Sequence, residues 1–159
     1  MTVILELVLR TCVAALAAFV LLVPATAAAR SSAGERSLLS ELNAIRAQHG
    51  LGQLMLDSHL QRAAQSHSRE MITTNDFTHG AFGTRMLRFD VSGRFAAENL
   101  AWGTGARGTA RGIVVAWLAS PEHRANLLRA SFTRVGIGDL VGFFQGHRRA
   151  HVITADFAG

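Results

Sequence analysis

The spacing of apolar residues changes once along the chain, and that change restricts the fold more than any other feature. In SLLSELNAIRAQHG, Leu38, Leu39, Leu42 and Ile45 recur at helical spacing, and Gly50 and Gly52 mark the end of that helix. A second helix is expected from about 58 to 73, with Leu60, Ala63, Ala64, His67 and Met71 on one stripe. A short helix is expected around 84–89. A third long one is expected over 109–119, with Ile113, Val114, Trp117 and Leu118 facing inward. After Ser131 the period becomes two. Val135 and Ile137, then Val141 and Phe143 beyond a turn near Asp139, alternate with small or polar residues. Residues 146–149 suggest a hairpin turn, and HVITADF a closing strand. AAENLAWGTG supplies one more strand from the middle of the chain. Early helices followed by an antiparallel meander predict an α+β fold, with helices layered on an antiparallel sheet.

The N-terminal segment follows a different logic. Residues 12–23, CVAALAAFVLLV, are an unbroken apolar run, followed by PATAAAR with small residues at Ala25, Ala27 and Ala29. The run is shorter than the roughly 20 residues of a spanning helix. A signal peptide over 1–29, cleaved near Ala29, is therefore expected, and no stable membrane span after its removal. The competing reading is an uncleaved anchor that also uses Val3 to Leu9. A polar linker over 30–36 and one domain over 37–159 would follow. The sole cysteine, Cys12, lies in the leader, so the domain has neither a disulfide framework nor thiolate chemistry. The expected location is secreted or cell-envelope. The net charge of +5 suits an anionic envelope polymer or lipid headgroups. The arginines are scattered, with only Arg148 and Arg149 adjacent in the domain's basic set, and no nucleic-acid partner is expected.

Three short stretches hold residues suited to chemistry. In SPEHRANLL, residues 120–128, Ser120 can cap a helix that begins at Pro121, and Glu122 suits the positive end of the helix. His123 is not needed for capping. A cation is disfavoured there, so the imidazole should stay neutral and free to bind a metal or accept a proton. A purely local hydrogen bond is the competing reading. FTHG, residues 77–80, places His79 in a loop. In AENLAWG, residues 97–103, Glu98 enters an apolar strand and needs a charged or hydrogen-bonding partner, for which His79 and His123 are candidates. His67, on a helical stripe, reads as a buried, hydrogen-bonded histidine rather than a ligand.

Taken together, LNAIRAQHGL, DSHLQRAAQSHSREM, FTHG, AENLAWG, WLASPEHRANLL, VGIG and ITADF resemble the CAP superfamily. That superfamily takes in cysteine-rich secretory proteins, venom allergens and pathogenesis-related proteins, and the chain is most similar to its cysteine-free bacterial branch. The resemblance runs from about Leu38 to Phe157. It implies an α–β–α sandwich with a central antiparallel sheet and a cleft of two histidines with acidic partners. His79 and His123 match the family histidines, and Glu98 the acid of the Glu-Asn motif, with Asn99 beside it. Trp117, Ser120, Arg124 and Asn126 fall within the remaining motif. Ser120 stands where the family's second acid is found after the tryptophan. Glu122, two positions on, is the candidate replacement.

The resemblance leaves three roles open. The first is a binding or signalling module for a lipid, an anionic envelope polymer or a protein. The second is a metal-assisted hydrolase, peptidase-like, in which His79, His123 and Glu98 hold zinc or another divalent cation. The third is a buried hydrogen-bond network that only stabilises the fold.

Overall fold

The computed structural model describes residues 31–159, so the expected leader lies outside the described residues. Helix α1 spans Ala33–Gln48. Ser32 and Glu35 form a reciprocal capping box: the Ser32 hydroxyl accepts from the Glu35 amide at 3.1 Å, and Glu35 Oε2 accepts from the Ser32 amide at 2.7 Å. The linker expected over 30–36 is thus helical in its second half, because Ser-x-x-Glu starts the helix at Ala33. Strand β1 is Met55–Leu56, helix α2 Ser58–Thr74 and helix α3 Phe82–Arg88. Asp57 caps α2, accepting from the amides of His59 and Leu60. Strand β2 covers Ala96–Gly103, and a 3-10 turn at Gly105–Gly108 leads to α4, Ala110–Ala119. Helix α5 is Pro121–Leu127, and β3, Arg134–Phe144, and β4, His147–Ala158, close the chain.

The strand order is β1-β3-β4-β2. The three long strands are antiparallel, as expected. The two-residue β1 joins β3 in parallel, which makes the sheet mixed rather than purely antiparallel. The turn expected near Asp139 is absent. β3 runs through it, and Asp139 pairs with Ile153. The carboxylate that suggested a turn is satisfied within the sheet, where it accepts from His151 Nδ1 at 2.8 Å. The hairpin reverses at Gln145 and Gly146, beside the turn expected over 146–149, with φ of 48° and 80°. Two successive positive values suit the right-handed twist of the flanking strands.

Helices cover both faces of the sheet. On one face, α2 lies so close to β3 that a Cβ on Gly136 or Gly138 would collide with the backbone of Leu60 or Ala64. On the other face, Leu38 and Leu42 of α1, Ile113, Val114 and Trp117 of α4 and Leu127 of α5 pack on Val135, Ile137, Ile153, Ala155 and Phe157. Each of the large side chains contributes about 1.5–3 kcal/mol by leaving water. This is the α–β–α arrangement that the family resemblance implied.

Arg46 of α1 locks α5 to this layer. Its buried guanidinium donates to the carbonyls of Gly52, Leu127, Arg129 and Phe132. Among the described residues no helix is long and apolar enough to cross a membrane.

Candidate functional site

β2 lies at one edge of the sheet, and successive side chains on a strand point to opposite faces. Glu98 therefore shares the α2 face with Leu100 and Trp102, whereas Asn99 faces the α4–α5 layer. The Glu-Asn motif straddles the edge strand, and each of its members holds one of the two histidine segments.

On the α2 face, His79 sits in the loop before α3. Its Nδ1 donates to Glu98 Oε1 at 2.7 Å. The Arg85 guanidinium, from α3, donates to the other Glu98 oxygen and to the His79 carbonyl, the latter at 3.3 Å. The Glu98 side chain is 2% exposed and that of His79 59%, so a buried ion pair orients an imidazole that reaches solvent. His67 lies beneath the loop, 1% exposed. Its Nε2 donates to the Thr78 carbonyl at 2.8 Å and comes within 3.9 Å of Glu98. The buried, hydrogen-bonded role expected for His67 is the one observed.

On the opposite face, the Asn99 amide donates to the His123 carbonyl at 3.0 Å. The Asn126 amide donates to Asn99 Oδ1 at 2.8 Å and to the Glu98 carbonyl at 3.4 Å. Trp117 Nε1 donates to the Leu100 carbonyl at 2.9 Å, anchoring α4 to the same strand. Ser120 ends α4 and precedes Pro121 of α5, but its hydroxyl makes no capping bond, contrary to expectation. Proline at the first helical position removes one donor that would need a cap. Arg124 and Glu122 are exposed, and among the described residues their side chains make no hydrogen bond or ion pair.

His123 is half-buried. Burial, then repulsion from His79, hold its imidazole below the ordinary histidine range, against an opposing pull from Glu122. The direction is the one expected from sequence, with burial as its first cause. His79 and His123 are close enough to feel one another's charge, so the fold brings the two imidazole segments to one edge of the sheet.

A three-ligand set of His79, His123 and Glu98 is not assembled. Both Glu98 oxygens are engaged, and among the described residues no three His, Cys, Asp or Glu side chains are placed to share a metal ion. What fits a cation is narrower. With Nδ1 bonded to Glu98, His79 keeps Nε2 as a lone-pair donor, and Glu98 serves as the outer partner that fixes the tautomer.

The comparisons agree with this fold. The cysteine-rich secretory protein family, CAP, matches residues 39–154, well over half the chain. The chain belongs to the CAP family. Its relatives include two Bacillus subtilis proteins, the uncharacterized protein YkwD (35% identical over 67% of this chain) and the uncharacterized membrane protein YlbC (34% over 65%). The chain spans only 42% and 31% of their respective lengths. Among solved structures, an extracellular SCP-domain protein of Bacillus anthracis superposes with a TM-score of 0.65 at 29% identity, covering 77% of this chain and 39% of that one. An outer surface protein of Borrelia burgdorferi gives 0.65 at 25%, covering 77% and 89%. The Bacillus anthracis protein is described as extracellular and the Borrelia burgdorferi protein as an outer surface protein.

Sequence reasoning missed two members of this CAP site. Arg85 carries no spacing signal in TRMLRF, because its partner is 13 residues away on another element. Asp156 was legible in principle, as a lone acid in the apolar closing strand ITADF; it lies directly across from Glu98.

Proposed function

We propose that this CAP domain works outside the cytoplasm as a binding module. In this reading His79 and His123 form a two-imidazole site for zinc or another divalent cation at the edge of β2, and the bound ion helps to hold an anionic envelope polymer. The observation that carries the reading is the engagement of Glu98, whose two oxygens are taken by His79 and Arg85. A hydrolytic site needs a carboxylate free to activate water, and Glu98 is instead committed to orienting a ligand. The low basicity of His123 supports the same reading, since a neutral imidazole keeps its lone pair at neutral pH. The net charge of +5 favours an anionic partner over a neutral one. Lipid headgroups and acidic proteins offer related chemistry and serve as comparison ligands.

Calorimetric titration of zinc into the purified chain near neutral pH tests the cation site. Saturable uptake is expected, with loss of most of it in the His79→Ala/His123→Ala variant. Undiminished uptake by the double variant, or none by the parent chain, overturns it. Glu122 is the exposed acid beside His123 through which a hydrolase would have to act. Zinc-dependent peptide cleavage abolished by Glu122→Gln would replace the binding reading with the hydrolytic one.

A further inference from the structure

Asp156 is fully buried, and neither of its carboxyl oxygens has a hydrogen-bond partner among the described residues. On β4 it stands directly opposite Glu98 of β2, and on its other side it pairs with Gly136 of β3. Because Gly136 has no side chain, the α2 backbone at Leu60 closes over this part of the sheet. The charged or titratable groups around the pair are Arg85 from α3, His67 from α2 and His79 from the loop between those helices. The one buried guanidinium here donates to Glu98. Two ionised carboxylates side by side, out of water and sharing one cation, are strongly disfavoured. Both would also be acceptors only, so neither could bond the other. A proton on Asp156 removes the second charge and turns the same approach into a hydrogen bond.

We propose that Asp156 is a neutral acid whose hydroxyl donates to Glu98, making it a positioning residue that holds the Glu98 carboxylate with one oxygen on His79 and the other on Arg85. Burial, then the charge of Glu98, push the Asp156 carboxyl well above the usual carboxylate range, and Arg85 acts against the shift. The proton stays on Asp156, and no bond is made or broken. The consequence is felt at His79. A fixed Glu98 oxygen selects the Nδ1–H tautomer and leaves Nε2 as the free donor atom. The inference takes its functional meaning from the cation-site reading, but its test uses no metal, so either can fail without the other.

The experiment is NMR on the metal-free full chain. It follows the side-chain carboxyl carbon of Asp156 with pH and the ring nitrogens of His79. No ionisation of Asp156 is expected near about 3.9, the ordinary value, and His79 should show a single Nδ1–H tautomer. Asp156→Asn keeps a donor toward Glu98 and should preserve that tautomer. Asp156→Ala removes the donor and should give a mixture of tautomers. A purely structural Asp156 would lower the melting temperature of the Ala variant without moving the His79 ring signals, and that result overturns the proposal. So does ionisation of Asp156 near 3.9, or loss of the single tautomer in the Asn variant.

If the Ala variant does not fold, the pH dependence of melting decides. An acid with a raised folded pKa contributes stability that is present below the unfolded value and lost as pH rises toward the folded one. Asparagine does not titrate, so the melting temperature of Asp156→Asn should gain on the parent as pH rises above about 4. A constant difference across that range overturns the proposal.

Discussion

Glu98 and Asn99 are neighbours on one strand, yet they build unlike environments on its two faces. The Glu98 side is ionic: a buried carboxylate and guanidinium, an imidazole that reaches solvent and an orphaned acid. The Asn99 side is a relay of neutral amides, from Asn126 to Asn99 to the backbone carbonyl of His123. One histidine is held by its ring, and the other by its main chain. The ionic side can therefore set the tautomer of His79. The amide side can set only where His123 stands.

The largest test of this contrast is Glu98→Ala. It leaves the Arg85 guanidinium buried without its partner, which costs about 3–5 kcal/mol, read from denaturant unfolding. It should also free the His79 ring. If it costs no more than the corresponding change at Asn99, the two faces are energetically alike and the distinction fails.

Asn99→Ala comes next. It strands the His123 carbonyl and one Asn126 donor, a loss of about 1–3 kcal/mol for unmet buried hydrogen bonds. No charge is uncovered, so the loss should not change with pH. A pH-dependent loss at Asn99 would mean that the two faces are coupled through the strand.

The contrast also explains what could be read from the sequence. Helices α2 and α4 and the Val135–Ile137 alternation were legible because their apolar spacing repeats locally. His79, Glu98 and His123 were legible because each is chemically out of place in its own stretch. The bonds among them were not. Arg85 reaches Glu98 only because α3 folds back over β2, and no local spacing encodes that approach. Asp139 misled for a related reason. An acid in a strand suggests a turn unless its distant partner, here His151, is known. β1 was missed because two residues are too few to show a period; it exists because Met55 and Leu56 meet the edge of β3.

The smallest effect is the most discriminating. His123 has a depressed folded pKa, so as pH falls past about 6.5 the unfolded chain takes up the proton first, and stability drops until the folded value is passed. With the ring partly open to solvent, the drop is below about 1 kcal/mol. Its second cause is repulsion from His79, after burial. His79→Asn should therefore move the His123 titration, followed by its ring proton in NMR, upward toward the ordinary value, while Asn99→Ala, which removes no charge, should not act through that repulsion. The shift separates position from charge at a single ring. If replacing His79 leaves His123 unmoved, burial alone accounts for its low basicity, and the two imidazoles do not face a common hollow at the strand edge.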